Sequence, residues 1–381
     1  MELQGVKIND FTREQIDKLY PEACMIMPMK IWSLKNKKHT KNEILLNEKY
    51  VAQIKKDGYY YSYEKHENNS YLFSKSVSKK TGLLSEKLGN VPHIKKILNK
   101  YLPVETVLIG EICSRKGGSN EVTKIMGCLP LKAVARQEND SNSKLYFYVH
   151  DIAIYAQEMQ LNIKTEERIV LLNGIKENFE KQATNEEKMF VEFAETYTKD
   201  LGQLLSDTFA AEEEGIVLKS KLGFIVPNKR PAWNTIKFKK ELADMDVICL
   251  RFCKPTYYYE GKELEAWNYF DDNGDAITKA AHMDWIGSIE IGAYNENGEL
   301  ISIGTVSSGL TEALLKEIKE DSNKFIGKPL VIGAMETGVK EGKYSLRHPY
   351  INSKAGCCYG FRLDSQDIDS KDCLLSKIFD N

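Results

Sequence analysis

One ten-residue stretch, Val51-Ala52-Gln53-Ile54-Lys55-Lys56-Asp57-Gly58-Tyr59-Tyr60, places a lysine, a carboxylate and a glycine directly after an apolar run. The apolar part reads as a buried strand and the glycine as a turn. A lysine fixed at the end of such a strand can serve as a nucleophile. The bland alternative is a solvated hairpin end, because Lys-Lys-Asp-Gly is also ordinary turn chemistry. The stretch alone does not choose between them.

Further candidates follow along the chain. Val107-Leu108-Ile109-Gly110-Glu111-Ile112-Cys113 is an apolar strand interrupted by one acid. A buried charge costs several kcal/mol unless it is partnered, so Glu111 reads as an acid with a task or a paired structural acid. Leu145 to Ala153 is a second buried strand carrying His150 and Asp151. Glu212-Glu213-Glu214-Gly215 then leads into Ile216-Val217-Leu218-Lys219, giving acid, glycine, strand and base in turn. In Trp233 to Lys239 the residues alternate, so Lys237 and Lys239 share one strand face. Two such lysines repel each other unless an anion lies between them.

The elements that must hold these residues are mixed. A helix is expected over Phe11 to Leu19, a hairpin from Tyr59–Tyr63 to Tyr71–Lys75, a short helix over Val91 to Tyr101, and a loop at Gly117 to Asn120. Glu186 to Leu205 is read as the longest amphipathic helix. From Asp244 the chain changes to short strands with Gly and Asn turns and one helix near Thr311 to Ile318. That pattern predicts a small barrel of the oligonucleotide-binding type, with residues 254–281 inserted in it. The expected domains are 1–243 and 244–381.

Bulk properties narrow the class. Hydrophobic content of 42% and charged content of 28% over 381 residues are ordinary for a globular chain. No apolar run has the length of a membrane span and no signal-peptide pattern is present, so a cytoplasmic protein is expected. The eight cysteines lie apart, without paired Cys-x-x-Cys units, and read as free thiols. A net charge of −2 carries no global nucleic-acid signal, but two basic runs do stand out. They are Lys30 to Lys41, and Lys75, Lys79, Lys80, Lys87, Lys95, Lys96 and Lys100. They are either a solvated face or a phosphate-tracking surface.

In order, Lys-x-Asp-Gly, a strand acid, an aromatic strand ending in Asp, Glu-Gly-x-x-x-Lys and Lys-x-Lys resemble the ATP-dependent DNA ligases of the covalent nucleotidyltransferase superfamily. The segments Phe73 to Lys87 and Ser119 to Cys128 are similar to the small ligases of bacteriophages. The resemblance implies an α+β fold, with a nucleotidyltransferase domain of antiparallel sheets and flanking helices followed by a C-terminal OB-fold β-barrel. It also implies ATP and Mg²⁺ as cofactors and a monomer acting on nicked duplex DNA.

By the same resemblance, Lys55 attacks the α-phosphate of ATP to form a lysyl-adenylate, and the AMP then passes to the 5′-phosphate of a nick. Gln53 and Ile54 lie beside the base, Glu111 holds the ribose, His150 takes the stacking position, and Lys237 and Lys239 meet the α-phosphate. Asp57 and Glu214 are implied as metal ligands. Lys75 is implied at both nucleotide and nick, and Lys79 and Lys80 on nucleic acid. Arg347, Arg362 and Asp364 are implied as motif residues of the barrel. Cations near Lys55, with Lys237 and Lys239 as candidates, are expected to lower its pKa from about 10.4.

Three departures from the family pattern are visible. Tyr60 and Lys75 each stand where an arginine is usual. Arg362-Leu363-Asp364-Ser365 lacks the usual final lysine, for which Lys354 and Lys371 are the candidates. An RNA ligase or capping guanylyltransferase is the alternative enzyme. A nick-binding protein without catalysis is the alternative of another class.

Overall fold

The computed structural model describes residues 17–33, 41–77, 83–138, 143–239, 242–259, 269–340, 342–363 and 368–379. Lys35, Lys37, Lys38, His39, Lys79, Lys80, Asp364, Ser365 and most of the helix expected from Phe11 lie outside the described residues. The chain forms two compact units, over 1–239 and 240–381. Among the described residues no helix is long and apolar enough to cross a membrane.

The first unit is α+β and contains two sheets. The smaller has the order β1 (Trp32–Ser33), β11 (Thr235–Lys239), β10 (Gly215–Ser220), β2 (Tyr50–Lys55). All its pairs are antiparallel except β1 with β11. The larger runs β5 (Leu84–Glu86), β4 (Ser70–Val77), β3 (Tyr59–Lys65), β6 (Thr106–Cys113), β7 (Tyr146–Tyr155), β8 (Glu158–Met159). β9 (Val191–Phe193) joins it parallel to β7. Register shifts between β6 and β7 curl this sheet.

Strand alternation decides what each face does. In the smaller sheet Ala52, Ile216, Leu218, Ile236 and Phe238 pack with Leu201 and Leu205 of a helix. In the larger sheet Tyr61, Tyr63, Leu108, Ile112, Phe147 and Val149 turn to the main core with Ile94, Leu98, Leu172 and Phe179. The opposite faces carry the polar residues singled out in the sequence.

The helices depart from expectation at two places. Glu186 to Leu205 is not one helix: it is a short helix Asn185–Phe190, strand β9 and the start of the helix Leu201–Ala210. A capping box on Thr184 and Glu187 starts the first piece. Among the described residues the longest helix is Thr165–Gln182, which the pattern reading does not anticipate. Gly117 to Asn120, read as a loop, contains the start of the helix Gly118–Met126.

The second unit corrects the barrel expectation. Its main sheet has the open order β14 (Leu300–Val306), β13 (Ser288–Tyr294), β12 (Leu242–Cys253), β15 (Pro329–Ala334), β18 (Tyr350–Ile351). β16 (Glu336–Lys340) and β17 (Lys343–Arg347) pair only with each other as a separate two-stranded sheet. A closed barrel needs a continuous ladder across every strand pair. Here β18 offers two residues, and the edges meet only at an isolated bridge between Ser308 and Tyr350. No closed OB-fold barrel is formed among the described residues. Val247, Ile289, Ile291, Phe325, Ile332 and Phe361 pack with Leu314 and Ile318 of the helix Glu312–Glu320 instead.

One buried charge cluster ties the two sheets of the first unit together. Lys219 of β10 donates to the His150 carbonyl at 2.7 Å and reaches Asp151 Oδ2 of β7 at 3.0 Å. Arg168, on the helix Thr165–Gln182, donates to both oxygens of Asp151, at 2.8 and 3.2 Å. Burial would raise the Asp151 pKa, but Lys219 and Arg168 outweigh it and hold the carboxyl well below its ordinary value. Removing the acid leaves two cations buried without their partner. Asp151→Ala is therefore expected to lose about 3–5 kcal/mol of stability, read from the urea midpoint. The wild type should lose its share only as the pH falls below the ordinary carboxylate range, because the unfolded chain binds the proton first. The variant should lack that acid-side slope; equal midpoints at pH 7 would count against the cluster as a tie.

Candidate active site

The site is built on the registers around Gly215. Across β2 and β10, Gly215 lies opposite Lys55 and Val217 opposite Gln53. Across β10 and β11, the same two residues lie opposite Lys239 and Lys237. Directly opposed residues on antiparallel strands share a face. Gln53, Lys55, Lys237 and Lys239 therefore emerge on one side of the smaller sheet, away from its apolar core. Two strand spacings put the Lys55 and Lys239 backbones roughly 10 Å apart.

Gly215 has no room for a side chain. Its φ is +147°, and a Cβ would stand 2.0 Å from the Phe238 carbonyl oxygen. Gly58 is constrained similarly: a Cβ there would meet Cys113 Sγ at 2.6 Å and the Ile112 oxygen at 2.7 Å. The glycine after Asp57 thus lets the turn lie against β6, beside Glu111.

Lys55 Nζ donates to Glu214 Oε2 at 2.5 Å, with both side chains largely buried. Burial lowers its pKa, but the charges of Glu111, Glu214 and Asp57 outweigh that and raise it. The expected lowering by neighbouring cations is not what this arrangement produces. Carboxylates dominate the surroundings of the amine, and Lys55 is held as an ammonium. Lys56, the next residue, pairs instead with Glu213.

Glu111 faces Tyr60 on one side and Tyr148 on the other. Its Oε2 is buried and accepts no hydrogen bond. Burial raises its pKa, with Lys55 opposing. An orphaned acceptor of this kind is costly, and a hydroxyl donor would satisfy it.

Asp57 accepts the Ser119 backbone N–H at 2.9 Å and so sits at the start of the helix Gly118–Met126. Gln53 is 3% exposed and donates to Thr196 Oγ1 at 3.3 Å. The Ile54 carbonyl accepts the Tyr148 hydroxyl at 3.3 Å. Burial, followed by the charge of Lys219, pushes the His150 imidazole down to about 3, so the ring is neutral. A neutral ring is free of the charge that would oppose stacking between the sheets.

The remaining expected residues are distributed differently. Lys75 is exposed on β4, two residues beyond buried Phe73 and on the same strand face. Tyr60, where an arginine was anticipated, donates its hydroxyl to the Ile26 carbonyl at 2.9 Å. Arg347 lies on β17 opposite Glu336. Arg362 donates to Asp246 Oδ1 at 2.7 Å, an ion pair within the second unit.

Three contributors were absent from the sequence-derived set, Arg168, Thr196 and the Ser119 backbone, while Lys219 stood there only as the base that ends Glu-Gly-x-x-x-Lys, with no partner assigned. Arg168 did leave a trace. It lies in register with Leu172, Ile175 and Phe179 on the buried side of its helix. A lone arginine on an apolar stripe signals a buried acid to pair with. Ser119 acts through its backbone, which side-chain types do not announce.

Comparison with known proteins bears on what this arrangement is. The model of the ATP dependent DNA ligase domain matches residues 28–239, more than half of the chain. A DNA ligase of Methanocaldococcus jannaschii is 28% identical over 137 residues, which are 35% of this chain and 19% of that protein. The chain thus matches about a fifth of the length of that curated relative. The solved structure named Pmar-Lig_Pre. superposes with a TM-score of 0.57 at 16% identity, covering 92% of this chain and 71% of the other. A structure from a study of Lig E DNA ligases gives 0.51 at 14% identity, covering 84% and 98%. At those identities the structural likeness is one of fold. The family match includes every residue from Gln53 to Lys239 that the registers bring together, and on it the chain belongs to the family of the ATP-dependent DNA ligase domain.

Proposed function

We propose that this chain is an ATP-dependent DNA ligase that seals nicks carrying a 5′-phosphate and a 3′-hydroxyl, with Lys55 as the nucleophile. The observation that carries the reading is the amine itself. Lys55 is largely buried, is paired with Glu214, and shares its sheet face with Lys237 and Lys239. A surface hairpin lysine needs none of this. In the first step Nζ gives up its ammonium proton to water and attacks the α-phosphorus of ATP; an N–P bond forms, the bond to pyrophosphate breaks, and a second proton leaves the nitrogen. A 5′-phosphate oxygen then takes the AMP from Lys55. Finally the 3′-hydroxyl oxygen attacks that 5′-phosphorus and AMP leaves.

The chain's own residues divide this work. Lys237 and Lys239 meet the negative charge that grows on the α-phosphate. The orphaned Glu111 oxygen suits a ribose hydroxyl, whose O–H would donate to it. His150, neutral, supplies a flat face for the base. Asp57 and Glu214 are the carboxylates that would hold a divalent cation such as Mg²⁺: they accept from Ser119 and Lys55 respectively, and a carboxylate keeps further lone pairs after such a bond. When bound, that ion would offset the charge of the carboxylates and phosphates. In this reading residues up to about 240 form the adenylation domain. The second unit and exposed Lys75 contribute to nucleic-acid contact.

The first test is direct. Incubation of the protein with α-labelled ATP and Mg²⁺ should leave one labelled AMP on the protein, and Lys55→Ala should leave none. The adenylated protein should then join a nick in duplex DNA faster than the matching nick in duplex RNA. An unlabelled wild type would overturn the ligase reading, whereas faster RNA joining would favour an RNA ligase.

A second test uses the charge balance at the amine. Glu214→Gln removes the nearest of the carboxylates that keep Lys55 protonated. Without nucleotide or metal at pH 8, Lys55 of the variant should react faster with an amine-acylating reagent, as read by peptide mass spectrometry. Adduct formation with ATP should nevertheless fall roughly 10–100-fold, the scale for losing a group that supports a metal. Unchanged acylation would show that Glu214 does not set the protonation of Lys55.

A further inference from the structure

A second group of ligating side chains lies away from Lys55, and the ligation chemistry makes no use of it. Cys24, Glu64 and His66 present one donor atom each, and the three atoms lie within 4.8 Å of one another. They are 4%, 0% and 2% exposed. Glu64 is four residues beyond Tyr60 on β3, which places it roughly 13 Å along the strand from the Glu111 end. We propose that Cys24, Glu64 and His66 form a site for one zinc ion that fastens the segment before β1 to the larger sheet.

The donors are the first argument. Sulfur, imidazole nitrogen and carboxylate oxygen together suit zinc better than magnesium or calcium, which prefer all-oxygen shells. His66 Nε2 and Glu64 Oε2 are 3.1 Å apart. That spacing admits a metal at about 2.0–2.2 Å from each. Three protein donors leave a fourth position for water.

The second argument is how the donors are held. His66 Nδ1 contacts Glu105 Oε2 at 3.1 Å, so the ring is oriented by a carboxylate on its far nitrogen. This is the supporting pattern found behind metal-bound histidines. Both Glu64 oxygens accept backbone N–H groups, from Cys24 at 2.7 Å and Met25 at 2.8 Å. Each retains a lone pair after that bond. Glu22 and Met25 both have positive φ, 70° and 52°, so the segment turns sharply to bring Cys24 over β3. The site is therefore arranged by the polypeptide before any ion arrives, and zinc binding would release the thiol proton of Cys24.

The alternative is a purely structural cluster in which a proton on Nε2 stands in place of the metal. Cobalt separates the two. The intact protein, stripped with a chelator and kept without ATP or DNA, is titrated with Co²⁺ and then with Zn²⁺. One equivalent of Co²⁺ should give a thiolate-to-cobalt charge-transfer band with tetrahedral d–d bands, and Zn²⁺ should displace it. Cys24→Ser, checked for native circular dichroism, should lose the charge-transfer band. His66→Gln should weaken zinc binding by roughly 10-fold or more. Zn²⁺ should raise the melting temperature of the wild type and not that of Cys24→Ser. A folded wild type that gives no thiolate–cobalt band, or a Cys24→Ser variant that keeps the band, overturns the proposal. The measurement needs no ligation, so its result stands apart from the nick-joining assay.

Discussion

A nearly buried ammonium held by carboxylates is the constraint that the first unit is built around. Moving either partner of the Lys55–Glu214 pair out of water costs several kcal/mol, and such pairs seldom stabilise a fold better than apolar side chains would. The pair exists here because two strand registers and a tight turn converge on it. β10 carries Gly215 between Lys55 and Lys239, and Gly215 lets the strands approach where any side chain would strike the Phe238 carbonyl. Gly58 allows the turn after Lys55 to lie against β6, bringing Glu111 toward the same amine. Two glycines thus convert a row of strand residues into a concentrated charge site.

Holding that charge still requires a rigid connection between the two sheets. The cluster of Lys219, Asp151 and Arg168 supplies it, spanning β10, β7 and the longest helix. Two of its members lie on the same strands as the site residues: Lys219 follows Gly215 on β10, and Asp151 follows His150 on β7. One ion cluster therefore fixes strands that carry the neighbours of Lys55, and its Lys219 adds to the burial that keeps the His150 ring neutral. Structural charge and site charge are separated by a few residues but serve different ends. Asp151 has its charge fully matched, whereas Glu111 retains an unmatched oxygen.

The strands bearing chemistry were legible because their signals were local. An apolar run ending in Lys-Lys-Asp-Gly, a single acid in Val107–Cys113 and alternation around Lys237 each specify a strand with one polar face. What failed depended on tertiary context. Glu186 to Leu205 has helical spacing, yet Val191 to Phe193 pairs with β7, and the ladder overrides the periodicity. The helix Thr165–Gln182 escaped notice because Arg168 interrupts its apolar stripe, and the compensating acid lies on another element. The barrel was inferred from five short strands and a helix. Strand count does not specify closure, and β16 and β17 pair with each other rather than joining the sheet edges.

The sign of the charge balance at Lys55 was beyond the reach of sequence. Lysines at 237 and 239 were visible, and from their presence a lowered pKa followed reasonably. Proximity decides otherwise: Glu111 and Glu214 bear most on the amine and Glu214 touches it, whereas the Lys239 backbone stands two strands away. Coulomb energy falls with distance, so the contacting carboxylate outweighs lysines farther off. The resting site consequently stores Lys55 as an ion and not as a nucleophile. In the reaction proposed above, a triphosphate, itself negative, would strengthen that storage, so added positive charge or displacement of the carboxylates would be needed to release the amine. A site arranged this way leaves the amine unreactive toward stray electrophiles until its charge is rebalanced, a property that would suit Lys55 in the covalent role proposed for it.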